Sequence, residues 1–393
     1  MSVTKVHKGL AYAHELAGDR GLRARELKAG GKKIVGHFCC SVPLELFTAL
    51  DIVPYRILGN IHEPITKADA HLEASMCAFV RSCLDLSLKG KYDLLDGFVG
   101  IHACDSIQRV YDIWNYCHGP DKYKYAHFID MPHVVRPGSL VFFKKQIEFF
   151  KKSLEAYAGR TMSNADLTRA IKLHNENHRL LRKLYDLRKE DPPLVSGSEV
   201  MEVTLAGMSI PVQEYNQLVN DVIAEVTARK PQLPKGGTRI LVYGTLMDDT
   251  TLTKVVENAG GHVVIDDSCT GTRAFWHDVV ITDDPLDGLA KHYLDDIPCP
   301  RTYRDFTGSH HDDVENRFHY LNDFVTDFKV NGVILSIVRF CDLKECDAPD
   351  IRDYLQELGL PVLHLGDAYD STASGQLRTR VEAFLEMTNM ERG

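Results

Sequence analysis

Three kinds of motif are missing from the 393 residues: there is no C-x-x-C pair, no G-x-x-x-x-G-K-[ST] loop and no G-x-G-x-x-G turn. The first absence argues against the closed ligand spacings of a structural zinc site. The other two remove the usual backbone cradles for ATP and for dinucleotides. Eighteen histidines are present, yet none falls in an H-E-x-x-H spacing. Positive charge is scarce: 46 Lys and Arg stand against 55 Asp and Glu, for a formal net charge of -9. With no basic stripe to offset that balance, nucleic-acid binding is not expected. The one dense basic stretch, "RKLYDLRK" at 182–189, reads as a solvated helix face. No run approaches the roughly 18 apolar residues of a membrane span. "MSVTKVHKGLAYAHELAGDR" lacks the apolar centre of a signal peptide, so a cytoplasmic protein without membrane association is expected.

What is present can bury a core: 44% of residues are hydrophobic and 26% charged. Residues 5–29 have helical spacing ending at "AGG". "KKIVGHF", "IVPYRIL", the end of "YDLLDGFVGI" and "YAHFIDMP" read as strands. They alternate with the helical "PLELFTAL", "DAHLEASMCAFVRSCLDLSLKG" and "DSIQRVYDIWNY". The middle third is helical, in "SLVFFKKQIEFFKKSLEAYAG", "SNADLTRAIKLHNENHRLLRKLYDLRK" and, after a break at "EDPPLVSGSE", "PVQEYNQLVNDVIAEVTARKP". From 238 the alternation returns, with "RILVYGT", "HVVIDDSC", "VNGVILSIVRFCD" and "LPVLHLG" as strands. The expected fold is α/β, with two Rossmann-like open-sheet lobes joined by a helical layer. An N-terminal α/β lobe spans 1–138, a helical bridging segment 139–235 and a C-terminal α/β lobe 236–393.

Ten cysteines in a reducing compartment are not expected to pair as disulfides. Three of them sit where a strand hands over to a helix: Cys39 (with Cys40) after "KIVGHF", Cys104 after "GFVGIHA", and Cys341 after "GVILSIVRF". Ligands of open α/β sheets bind outside the carboxyl ends of the strands. Each following helix would present its N-terminus, which favours negative charge. A thiolate-held metal group in the cleft between lobes is one reading, and three core cysteines at strand ends is the other. Cys77 and Cys83 share the helical "SMCAFVRSCLDL" but point to different faces. Cys117 and Cys299 read as structural, while Cys269 and Cys346 have weak contexts. "SHHDD" reads as a solvated loop, and "GTR" at 271–273 as either an anion-binding loop or a plain turn. His37, His102, Glu45 and Asp105 lie near the cysteines, and nothing singles out an acid or base among them.

Taken together, "GHFCCSVPLELFTALDIVPYRI", "CAFVRSCLDLSLKGKYDLLDGFVGIHACDSIQRVYDIW" and "GQLRTRVEAFLE" resemble the 2-hydroxyacyl-CoA dehydratase and benzoyl-CoA reductase family, from about Lys33 to Met387. The resemblance implies two Rossmann-like lobes clasping a [4Fe–4S] cluster through three cysteines. The metal ligands would be Cys39, Cys104 and Cys341, with Cys77 next and Cys40 or Cys83 as lesser candidates. The doubled cysteine leaves the register between Cys39 and Cys40 open. A related group holds a double-cubane cluster on six cysteines. The implied partners are a related second catalytic subunit, an ATP-hydrolysing iron–sulfur activator, ferredoxin as upstream electron donor, and an acyl-CoA substrate. Length and the 86–114 segment look most like the smaller catalytic subunit of ATP-dependent benzoyl-CoA reductase, an oxidoreductase of anaerobic aromatic degradation. Radical dehydration of a 2-hydroxyacyl-CoA and electron transfer without a substrate of its own remain alternatives, as does a metal-free α/β protein.

Overall fold

Short runs of β-branched and aromatic residues form parallel strands here, and the helices between them supply the crossovers that parallel pairing needs. The computed structural model describes residues 8–367, 369–370 and 374–390. The first lobe begins with α1 (Gly9–Gly18) and α2 (Gly21–Ala29), followed by β1 (Ile34–His37), α3 (Leu44–Ala49) and β2 (Val53–Arg56). It continues with α4 (Ala78–Leu88), β3 (Gly97–Ile101), α5 (Asp105–Lys122) and β4 (Tyr125–Ile129). Every pairing is parallel and the order is β2-β1-β3-β4. β1 and β3 are buried along their whole length, which explains their unbroken apolar runs. The single helix expected over 5–29 is two helices, because Asp19 accepts from the Gly21 N–H and restarts the chain there. Residues 5–7 lie outside the described residues.

A short strand β5 (Val134–Val135) leads into α6 (Pro137–Ala158), α7 (Asn164–Asp186), α8 (Gly197–Gly207) and α9 (Val212–Ala228). Pro137 opens α6, where its missing N–H has no helical partner to lose. Ser163 with Asp166, and Ser196 with Glu199, form reciprocal capping boxes. The second box falls inside the expected break at "EDPPLVSGSE", so α8 is a helix the sequence reading did not anticipate. Its glycine and β-branched content hid it, since propensity is weak there and burial on most sides carries it instead.

The second lobe runs β6 (Thr238–Gly244), α10 (Thr251–Asn258), β7 (Gly261–Asp267), α11 (Pro285–Lys291), β8 (Tyr303–Arg304) and α12 (His310–Asp327). It closes with β9 (Gly332–Val338), α13 (Asp342–Glu357), β10 (Val362–Asp367) and α14 (Ser374–Met390). Its parallel sheet has the order β10-β9-β6-β7. Counted within each lobe, both sheets therefore have the strand order 2-1-3-4. β5 and β8 pair between the lobes, Val134 with Tyr303 and Val135 with Arg304. "SHHDD" is not a loop: Ser309 caps α12 in a third capping box with Asp312. Nor is "RKLYDLRK" a solvated face. Arg188 is only 1% exposed, and Arg182 donates to the Phe275 and Trp276 carbonyls and pairs with Asp278. Among the described residues no helix is long and apolar enough to cross a membrane.

Candidate metal centre

In an open parallel sheet the ligand crevice lies outside the carboxyl ends of the strands, where the winding reverses direction. The observed orders place that point between β1 and β3 in one lobe and between β6 and β9 in the other. Cys39 and Cys40 follow β1, Cys104 follows β3, and Cys341 follows β9; Cys269 lies just beyond β7. The two crevices face each other. The charge of Cys341 bears on Cys77 and Cys104, and Cys40 lies against Cys269. The matching turns share one more feature. Cys39 and Phe340, each two residues beyond its strand, adopt left-handed backbone at φ 64° and 65°. For residues with a Cβ this costs on the order of 1–3 kcal/mol and is characteristic of functional turns.

Cys77, Cys104 and Cys341 occupy the residue immediately before α4, α5 and α13 respectively. The first-turn N–H groups of Val80, Ile107 and Lys344 face these thiols and favour the thiolate. Burial is the larger effect and raises all three, Cys77 and Cys104 to about 12. Such thiols stay protonated unless a metal ion replaces the proton. A recess of about 590 Å³ opens beside them, lined by Met76, Asp105, Ser106, Arg109, Phe340 and Asp342.

Cys39, Cys40 and Cys269 form a second group. The Cys40 thiol interacts with both of the others. That contact holds Cys39 low and lowers Cys269 to about 6, while Cys40 itself is raised. Arg56 and Arg301 also lower Cys39. These arginines are 6% and 3% exposed, and neither has a carboxylate partner among the described residues. Arg301 reaches only the Pro132 carbonyl and the Ser41 hydroxyl, both at 3.4 Å. A buried cation without a counter-charge is unfavourable by several kcal/mol. Two of them beside six thiols and three helix N-termini call for an anionic group. Among the described residues no three His, Cys, Asp or Glu side chains come together tightly enough for a single metal ion. Soft thiolates and buried cations fit an iron–sulfur cluster.

Cys39, Cys104 and Cys341 lie at the strand ends with Cys40, and Cys77 lies near Cys341 from the start of α4. Cys77 precedes its helix instead of lying on it, which is how it reaches the crevice. Cys104 occupies the cap position of α5. Cys83 is inside α4, among Asp248 and Arg20. Cys117 lies 3.6 Å from His71, and Cys346 is exposed. Sequence reasoning passed over Cys269, although its strand "HVVIDDSC" ends in it as the others end in theirs. It also passed over Arg56 and Arg301, whose flanking residues carry no signal. "GTR" is no anion loop: Arg273 pairs with Asp267 at 2.9 Å, with both side chains fully buried.

Of the four possible acid–base groups, Asp105 is exposed at the recess and His102 pairs with Asp130 at 3.2 Å. His37 is buried, and burial lowers it to about 3. Glu45, on α3, accepts from Tyr293 at 2.9 Å and is raised by burial from 4.5 to about 7. A carboxyl raised on folding stabilises the protein fully below its unfolded value and less as pH rises through its folded value. The stability of wild type relative to Glu45→Gln is therefore expected to fall by about 3 kcal/mol from pH 4.5 to well above 7. Urea denaturation of both proteins across that range checks this, and a flat difference would contradict it.

Residues 39–388 match the family model described as 2-hydroxyglutaryl-CoA dehydratase, D-component. The chain is 25% identical to a benzoyl-CoA reductase subunit of Thauera aromatica over 362 residues, 90% of either chain. It is 23% identical to the (R)-phenyllactyl-CoA dehydratase beta subunit of Clostridium sporogenes, over 92% of this chain and 93% of that one. It is 27% identical to the putative dehydratase subunit YjiM of Escherichia coli K12, over 93% and 94%. With a strand-end thiol site on twin parallel sheets and a family match over nearly its whole length, the chain belongs to the 2-hydroxyacyl-CoA dehydratase and benzoyl-CoA reductase family.

Proposed function

We propose that this chain is the iron–sulfur subunit of an aryl-CoA reductase, passing single low-potential electrons to a benzoyl-CoA-type thioester. The observation that carries this reading is the gathering of thiols from both lobes around two buried arginines that have no carboxylate partner among the described residues. When bound, the cluster supplies one-electron transfer at low potential. Cys77, Cys104 and Cys341 would hold it on the recess side, with Cys39 from the second group. Arg56 and Arg301 offset the negative charge that the thiolates bring. The recess, at about 590 Å³, is within the usual 300–1,000 Å³ range of ligand pockets. It gives an acyl group or an electron-carrying partner access beside the thiols. The Thauera relative is named as a benzoyl-CoA reductase subunit, which supports both the substrate and a second catalytic subunit. The chain has no ATP-cradling loop of its own, in keeping with a separate ATP-hydrolysing activator supplied by ferredoxin.

A second reading is favoured by Cys40 and Cys269. Six thiols, more than one cubane needs, suit a double-cubane cluster in an electron-transfer protein of the same family. The test combines iron-loaded protein, its partner subunit and an ATP-driven activator. Consumption of benzoyl-CoA is expected. Turnover of a 2-hydroxyacyl-CoA alone would assign dehydration, and turnover of neither would favour the second reading.

A further inference from the structure

Beside the second group of thiols lies a partly open chamber of about 100 Å³, between α7, α8 and the ends of β1 and β2. At roughly 30 Å³ for each water, it holds three or so water-sized volumes. That is far too little for a CoA thioester. Cys40 and Cys269 form part of its wall, with Leu181 and Phe275 among its apolar residues. Three other lining side chains are more than nine-tenths buried and carry a polar atom with no partner: Arg56 at Nε, Asn177 at Nδ2 and His37 at Nδ1. The Arg56 guanidinium makes no hydrogen bond or ion pair with any described residue. No aspartate or glutamate is among the described residues lining the chamber. Arginine keeps its charge at any relevant pH and, like the asparagine amide nitrogen, can only donate. A small chamber walled by unmet donors and one permanent cation has a specific complement.

We propose that this chamber is a binding site for one small anion, of the size of formate or thiocyanate, held by Arg56 and Asn177 beside the Cys40 and Cys269 thiols. His37 contributes through Nδ1, as donor or acceptor according to its tautomer. The anion would meet the Arg56 and Asn177 donors that no described residue meets. It is distinct from the open recess on the other side, and it concerns the protein with or without iron at the thiols.

Titration calorimetry with sodium formate at constant ionic strength tests it, with formamide as the neutral molecule of the same shape. Saturable one-site binding of formate is expected in wild type and in Arg136→Met, which removes an exposed arginine that does not line the chamber. Arg56→Met is expected to weaken binding by about tenfold or more, the scale of one lost charge-assisted hydrogen bond. Asn177→Leu should weaken it in the same direction, and carries the test alone if the arginine variant does not fold. Formamide is expected not to compete. No saturable formate binding by wild type, undiminished binding by both chamber variants, or equal binding of formamide would each overturn the proposal.

Discussion

Cys104→Ser is expected to lose its bound iron while keeping its fold, and Cys77→Ser and Cys341→Ser are expected to do the same. A serine hydroxyl is a poor replacement for thiolate toward iron, because soft sulfur donors select such clusters. Serine at these positions is nevertheless well suited to the backbone. All three residues immediately precede a helix, where serine is a preferred cap and worth about 0.5–2 kcal/mol over a residue that cannot cap. The iron-free variants should therefore be at least as resistant to urea as iron-free wild type. That opposition separates a ligand from a structural cysteine. A buried structural cysteine changed to serine loses stability, whether or not iron is present. Iron analysis beside urea denaturation reads both quantities. Retention of iron in any one variant removes that residue from the ligand set. Cys39→Ser and Cys40→Ser, compared in the same way, decide the register of the doubled cysteine.

Arg273→Met is expected to destabilise the protein by about 3–5 kcal/mol, because it leaves a buried carboxylate without its cation. The Asp267 it would abandon is fully buried and also accepts from Tyr320 at 2.8 Å and Thr272 at 3.1 Å. Arg273 in turn donates to the Gly244 and Asp267 carbonyls, tying the end of β6 to the end of β7. Cys269 lies on that tie, 3.8 Å from the same guanidinium. The loss should appear as a lower urea midpoint with an unchanged slope. The double variant Arg273→Met with Asp267→Leu is expected to recover much of it, since removing both partners removes the desolvation penalty. A cost for the single variant below about 1 kcal/mol, the value typical of an exposed pair, would contradict this account.

The arrangement of the lobes was legible in the sequence because parallel strands buried on both faces leave unbroken apolar runs. "KIVGHF" and "GVILSIVRF" are two of these, and each ends at a cysteine. The same logic extends to "HVVIDDSC", yet Cys269 was passed over because the following "TGTRAF" carries no helix signal to complete the strand–cysteine–helix pattern. Side chains that act through tertiary contact left no trace. Arg56 lies within a strand and Arg301 in a loop, and only the fold shows that neither meets a carboxylate. Helices α8 and α12 were missed for a local reason, since their serine caps sit in polar, glycine-containing stretches that read equally well as loops. The basic stretch in α7 misled for the opposite reason. Charge normally marks a solvated face, but Arg182 and Arg188 turn inward to meet carbonyls and carboxylates of the second lobe.

Thiolates from two facing sheets are expected to hold iron and sulfide together. Iron and acid-labile sulfide analysis of the anaerobically purified or reconstituted protein, with Mössbauer spectra of the same samples, tests it most directly. About four or more irons per folded chain, matched by sulfide and with the spectrum of a cubane cluster, is the expected result. A folded, reconstituted chain that binds less than about one iron, or binds iron without sulfide, would contradict it.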